Sequence, residues 1–200
     1  MKIAIFVGSL SIGGAERQFA LLARGLADRG HDVRVLTMVS AGDPTIEALL
    51  GDVRRDVILP SAWPGSPLRL MQLLYAWRRL KQWLETNPVD VGYSALEWPN
   101  WLSCRAAASM RTPPAVVIGL RCAGLKPGIR LRLPTQLLAR TKRPDGIIAN
   151  AESAIDESAD MGVNAPLKQV IYNGIDTDQF SPNTRAGQLF RSEHKIASEA

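Results

Sequence analysis

Short runs of β-branched and other apolar residues alternate along this chain with segments of helical periodicity. No other feature of the sequence restricts the fold as strongly. A strand followed by a helix returns beside the first strand in parallel, so repeated alternation implies a parallel sheet covered by helices. Residues 2–7, 32–39, 57–59, 115–120, 146–149 and 169–172 read as strands, as does a run that begins near Val89 and ends before Pro99. Several of these runs are apolar throughout rather than alternating, the pattern of strands covered on both faces. The expected fold is α/β, a Rossmann-like, doubly wound, mostly parallel sheet of about seven strands.

The intervening segments carry helical spacing. Over residues 15–29, Ala15, Phe19, Leu22 and Leu26 recur on one face and Gly30 supplies a terminator. Over residues 69–85, Leu70, Leu73, Leu74, Trp77, Leu80 and Leu84 share a face, and Asn87-Pro88 ends the run. Residues 101–110 and 152–161 read as two more helices. The segment Gly8-Ser9-Leu10-Ser11-Ile12-Gly13-Gly14 reads as a flexible loop. After Asp176 the composition shifts. Residues 1–176 are expected to form one domain, and residues 177–200 a linker or the start of a further domain.

Composition narrows the function classes. Of the 200 residues 46% are hydrophobic and 22% charged, enough for a core and unlike a collagen-like, disordered or disulfide-built chain. Cys104 and Cys122 form no CxxC pair, and His31 and His194 are the only histidines. A zinc site and a Cys/His nucleophile pair therefore have little support; no metal and no cofactor is expected. The thiol count suits a reducing cytoplasm. MKIAIFVGSL reads as a buried strand rather than a signal peptide, and no run reaches the roughly 18–20 apolar residues of a membrane span.

The net charge of +5 favours anionic partners. Arg121, Lys126, Arg130, Arg132, Arg140, Lys142 and Arg143 fall in a stretch without Asp or Glu. Leucines intersperse them, so this stretch and the 69–85 helix read either as a face resting on anionic lipid at the inner side of the cell membrane or as a solvated basic surface. Nucleic acid is not an expected partner, because no aromatic residue interleaves the basic ones.

In an open parallel sheet, ligands bind beyond the carboxyl ends of the strands. The first such end here is the 8–14 loop. Its glycines admit close backbone approach, and the following helix points free N–H groups at the same place. A phosphate is the natural guest; the alternative is that the glycines only make a tight strand-to-helix turn. Gly8, Gly13 and Gly14 do not make GxGxxG, and no GK[ST] follows, which disfavours dinucleotide and Walker-type sites. Glu16 and Arg17 open the helix, where Glu16 also suits capping. Glu97 lies near the end of the fourth strand, and Arg121 follows the fifth strand, where a guanidinium suits an anionic group. Asn173-Gly174 reads as a turn.

Three segments carry a family resemblance. Gly13-Gly14-Ala15-Glu16-Arg17 resembles the glycine-rich opening of glycosyltransferases of family 4, which have the GT-B fold. Ile147-Ile148-Ala149-Asn150-Ala151-Glu152-Ser153 resembles the strand and turn the family often writes as NSE, with Ala151 in place of the Ser. Val170-Ile171-Tyr172-Asn173-Gly174-Ile175-Asp176, followed by Phe180-Ser181-Pro182, resembles the family's NG(I/V)D…F.P signature, where its N-terminal domain hands over to the C-terminal one.

The resemblance implies one half of a GT-B fold, the acceptor-side domain of an enzyme of polysaccharide or lipopolysaccharide biosynthesis. It implies a nucleotide-sugar donor, a glycan or lipid-linked acceptor, retention of anomeric configuration and no metal. It makes Gly13, Gly14, Glu16, Arg17, Glu97 and Arg121 candidate substrate contacts; many members place a histidine, and some subgroups an arginine, at the position of Arg121. It makes Asn173 and Gly174 an interdomain turn. The donor-binding C-terminal domain is expected to be missing, in cis or in trans. The isolated chain is then expected to show little or no transfer, with a non-catalytic half-enzyme that needs a separate partner chain as the alternative.

Overall fold

A computed structural model describes residues 1–59, 69–121, 129–141, 144–178, 180–181 and 184–196. Seven strands run β1 (Lys2–Val7), β2 (Asp32–Val39), β3 (Arg54–Leu59), β4 (Val91–Ala95), β5 (Ala115–Leu120), β6 (Gly146–Ala149) and β7 (Leu167–Val170). Helices α1 (Gly14–Ala27), α2 (Pro44–Ala48), α3 (Arg69–Thr86), α4 (Glu97–Ala107), α5 (Ile129–Ala139) and α6 (Glu152–Asp160) lie between them, and α7 (Thr184–Glu193) follows β7. The sheet order is β3-β2-β1-β4-β5-β6-β7, with every pairing parallel. The α/β, Rossmann-like expectation stands.

The two faces of β1 set the layers. Ile3, Ile5 and Val7 pack against Phe19, Ala20 and Ala23 of α1 and against Ile46 and Leu50 around α2. The alternate residues Ala4 and Phe6 pack against Ala76, Leu80 and Leu84 of α3 and Leu102 and Ala106 of α4. Burial on both faces is what makes β1 read apolar at every position, and each large side chain so buried contributes about 1.5–3 kcal/mol. A third cluster joins Val116, Ile118 and Ile147 to Cys104, Ala107 and Leu138. Cys104 is thus a core residue; Cys122 lies outside the described residues.

Strand order reverses between β1 and β4, where Ile3, Ala4, Ile5 and Phe6 of β1 pair with Val91, Gly92, Tyr93 and Ser94. The chain departs in opposite directions from these two neighbours, which opens a crevice above their carboxyl ends.

Several local expectations need correction. The 8–14 loop is pinned: Leu10 is fully buried, its N–H donates to Ala41 O at 3.2 Å, and its carbonyl accepts from Asp43 N at 2.8 Å. Glu97 is the first residue of α4 rather than the end of a strand. Pro99 looked like a boundary, yet it sits in the first turn of α4, where a missing N–H breaks no helical bond. Leu74 turns outward at 45% exposure, while Leu73, Leu80 and Leu84 are buried. The third strand begins earlier, at Arg54, and the seventh is shifted to Leu167–Val170. Helix α5 was hidden by Pro134 inside it, α2 by its brevity, and α7 by the polar tail it belongs to.

Candidate functional site

The rim formed by the carboxyl ends of β1, β4, β5 and β7 collects the candidate residues. At the β1–α1 loop, Gly13 is the N-cap of α1 in extended backbone, and Arg17 N–H donates to its carbonyl at 3.0 Å. A Cβ on Gly13 would collide with the carboxylate of Glu16, which folds back over the helix start. That is the third helical position, where an acidic side chain meets the free N–H groups and the positive end of the helix. Gly14 faces open space.

Arg121, just past β5, is the hub of the rim. Its Nη1 donates to Asn173 Oδ1 at 2.8 Å and its Nη2 to the Tyr93 hydroxyl at 3.1 Å. Its Cζ stands 4.9 Å from the Phe19 ring centroid, a cation–π distance, and Phe19 in turn lies 5.2 Å from the Tyr93 ring. Its Nε–H is buried and has no hydrogen-bond partner. The guanidinium is therefore half-buried with neutral groups in direct contact and, among the described residues, no carboxylate within ion-pair distance; Glu97 and Glu157 line one adjoining cleft and Asp176 the other. Burial pushes the Tyr93 phenol above its usual range, and the charge of Arg121 pulls part of that back.

Two clefts open on either side of Arg121. The larger, about 520 Å³, lies between Leu21 and Leu22 of α1, Ile148 of β6 and the 171–176 segment. The smaller, about 70 Å³, is lined by Leu96, Glu97, Thr135 and Ser158. Glu97 and Arg121 face this smaller cleft together without pairing.

The segment after β7 is tied to this hub. Besides the Arg121–Asn173 bond, Gln18 Nε2 donates to Gly174 O at 2.8 Å, and Arg17 Cζ lies 5.8 Å from the Phe180 ring centroid. The structure thus brings Arg121 and Asn173 into direct contact, binds Gly174 through Gln18, and places Glu97 across a cleft. Gly13, Gly14 and Glu16 occupy the neighbouring loop of the same rim. Tyr93, Gln18 and the buried Asn100 were not singled out from sequence, and Phe19 was read only as part of the apolar face of its helix. Among these, Asn100 carried a readable signal, an amide side chain in a helical segment whose buried face holds only one other polar residue, Ser103, among the described residues.

The sequence profile described as Glycosyltransferase Family 4 matches residues 12–179. The chain belongs to glycosyltransferase family 4. Three solved structures share its fold. Anabaena HepE in complex with UDP matches with a TM-score of 0.70 and 21% identity over 98% of this chain and 50% of that one. Sucrose-phosphate synthase from Thermosynechococcus elongatus gives 0.69 and 14% over 98% and 53%. The lipopolysaccharide outer core galactosyltransferase WaaB, in its apo form, gives 0.66 and 14% over 88% and 46%. No curated protein sequence matches significantly. The family 4 chain described here spans about half the length of these structures and forms the N-terminal domain of a GT-B fold. Among its described residues, no helix is long and apolar enough to cross a membrane, and no group of three or more His, Cys, Asp and Glu stands close enough to hold a metal ion.

Proposed function

We propose that this domain is the acceptor-side half of a retaining glycosyltransferase, which moves a sugar from a nucleotide-sugar to a glycan or lipid-linked acceptor in surface polysaccharide or lipopolysaccharide assembly. The observation that carries the reading is Arg121: a cation on the carboxyl rim, half-buried, with neutral partners and an orphaned N–H. A half-buried guanidinium with neutral direct partners beside two clefts suits an anionic or hydroxyl-rich substrate. In this reading Arg121 holds a phosphate or sugar hydroxyl, Glu97 orients the acceptor hydroxyl, and Gly13 and Gly14 let the donor or acceptor approach the start of α1. Glu16 and Arg17 shape that approach, and Asn173 and Gly174 set the exit toward the donor-binding domain.

The reaction needs charge stabilisation on the departing diphosphate and a fixed geometry between donor and acceptor. One rim supplies the acceptor half of that geometry. Ile171, Tyr172, Ile175, Phe180, Leu189 and Phe190 are all more than half exposed on the segment leaving the rim. This apolar surface suits a donor-binding domain seated on it, either in the same polypeptide or in a separate partner chain. The 200-residue chain is therefore expected to transfer little or no sugar alone, and to do so once a donor-binding domain is supplied. Arg121→Met should then lower turnover at least about tenfold, the loss of one charge-assisted contact. Robust transfer by the chain alone, or full turnover by the Arg121→Met variant, contradicts the reading.

A specific surface favours a membrane-bound acceptor. The exposed face of α3 carries Met71, Leu74 and Tyr75 beside Arg78 and Arg79, and Leu133 is exposed on α5. Both helices pack on α4, so these residues share one side of the sheet. Apolar side chains ringed by arginines suit an anionic bilayer on the cytoplasmic side. Sedimentation with anionic but not neutral vesicles is expected, and it should weaken with salt. Equal binding to both vesicle types, or to neither, removes the electrostatic contact.

A further inference from the structure

The turn from β4 into α4 holds Leu96 at φ 71° and ψ 161°. Glycine occupies that region freely, whereas a leucine there is strained. The strain has a topological origin. The Leu96 side chain packs against the α1-side core, while α4, which starts at the next residue, packs into the two cores on the opposite face. The backbone must reverse its facing within one residue, and such a conformation persists only when neighbouring contacts impose it.

Asn100 supplies those contacts. It is 2% exposed, and its backbone N–H donates to the Leu96 carbonyl at 2.9 Å. Its Oδ1 accepts from Ser94 Oγ at 3.0 Å, and its Nδ2 donates to the Gly119 carbonyl at 3.0 Å. One buried side chain thus ties the first turn of α4 to the strand before Leu96 and to the carboxyl end of β5, two residues before Arg121. Gly119 itself is tightly enclosed: a Cβ there would stand 3.1 Å from the Tyr93 hydroxyl and 3.2 Å from Ser94 O, so these neighbours would have to give.

We infer that Asn100 is a positioning residue that clamps the strained Leu96 turn and so sets Glu97 against Arg121 across the smaller cleft. The importance of that placement for sugar transfer rests on the acceptor-side reading above; the clamp itself does not. Asn100 is not itself among the residues that line the cleft, whereas Leu96 and Gly119, which it bonds, are. It acts through Leu96 on one side and through Gly119 on the other.

A double-mutant cycle tests this on the 200-residue chain, using Asn100→Ala, Leu96→Gly and the pair. Urea unfolding reads the stability. Near-ultraviolet circular dichroism reads the Trp98–Trp101 edge contact at 6.0 Å, which spans the first turn of α4. Asn100→Ala is expected to raise the unfolding equilibrium constant roughly 10- to 100-fold and to weaken the tryptophan signal. In the Leu96→Gly background the same change should cost markedly less and leave the signal in place, because glycine holds the turn unaided. Equal losses in both backgrounds overturn the inference, as does an unaltered tryptophan signal in Asn100→Ala. If Asn100→Ala does not fold, recovery of folding by Leu96→Gly supports the clamp. Without such recovery, Ser94→Ala, which removes a single donor, replaces it in the cycle under the same criteria. No arm measures sugar transfer, so failure of the glycosyltransferase reading would leave the result interpretable.

Discussion

The two ends of the sheet hold clefts of similar size and opposite character. At the amino end, a cleft of about 460 Å³ is lined by Arg24, Asp28, His31, Asp32, Arg34 and Arg54. Two of its arginines have acidic partners: Arg24 lies 3.8 Å from Asp28 in the same lining, and Arg34 lies 3.8 Å from Asp56 outside it and donates to Asn87 Oδ1 at 2.9 Å. At the carboxyl end, the cleft of about 520 Å³ has largely apolar walls with Gln18 and Asp176 among them, and the hydrogen bonds of Arg121 beside it go to neutral groups among the described residues. That end also holds the strained Leu96 and the crowded Gly119. Volume alone does not separate a site from a surface hollow. A half-buried cation whose direct partners are neutral and imposed backbone strain do, because neither persists without a surrounding structure that enforces it.

The largest effect expected from breaking this contrast is at Gly119. A Cβ there would also stand 3.3 Å from Phe19 Cζ, and two of its three near neighbours are a buried ring and a strand carbonyl. Gly119→Ala should destabilise the chain by about 1–3 kcal/mol and disturb the Tyr93–Arg121 bond, read by urea unfolding and by the Tyr93 phenol titration. An unchanged unfolding midpoint would show that the carboxyl rim is not tightly built. Next in size, Arg121→Met should lower the affinity for a nucleoside diphosphate or phosphorylated acceptor by about 10- to 100-fold in calorimetric titration, while Arg24→Met at the amino end leaves it unchanged. Equal losses at the two ends would erase the distinction.

A smaller effect concerns the start of α6, whose N-cap lines neither of these two clefts. Ala151 is its N-cap in extended backbone and makes no side-chain cap hydrogen bond. Ala151→Ser should restore an oxygen for the free N–H groups and stabilise the chain by about 1 kcal/mol in urea unfolding. No gain, or a loss, would mean that the turn after β6 does not orient that oxygen. The smallest concerns Asp28, whose pairing with Arg24 is exposed on both sides. Asp28→Asn should change stability by less than about 0.5 kcal/mol, and a larger loss would give the amino-end cleft a structural weight its geometry does not suggest.

Alkaline pH offers a further contrast. Tyr93 is an acid whose folded pKa is raised above its ordinary 10.0 by burial, with Arg121 opposing the rise. Below about pH 10 the phenol is neutral in both folded and unfolded chains, so the favourable difference is fully present there. It is lost as pH climbs from there through the raised folded value. Arg121→Met removes the opposing charge, so the Tyr93 titration should move to still higher pH. A shift to lower pH would contradict the contact.

The legibility of the chain followed the same division. Strands β1, β2, β5 and β6 could be read to the residue: burial on both faces makes β1, β5 and β6 apolar runs, and β2 is a largely β-branched and apolar run despite Asp32 and Arg34. Gly13, Gly14 and Arg121 were legible as polar or small residues just past such runs. Their partners were not. Arg121 meets Asn173 across 52 positions of sequence and Tyr93 across 28, and no local pattern encodes such pairs. The outward turn of Leu74 escaped because the apolar stripe of α3 is wider than the groove it fills. The strain at Leu96 was invisible, since a leucine in a glycine conformation is imposed by tertiary packing.

The central claim is that ligand recognition belongs to the carboxyl rim around Arg121. The most direct measurement is a map of backbone amide shifts by nuclear magnetic resonance while a nucleoside diphosphate sugar and a phosphorylated glycan acceptor are titrated in turn. The expected result is perturbation concentrated at Gly13–Arg17, Leu96–Glu97, Arg121 and Asn173, largely abolished in the Arg121→Met chain. Perturbation centred on Arg24, His31 and Arg54, or a carboxyl-rim response indifferent to loss of the guanidinium, would contradict it.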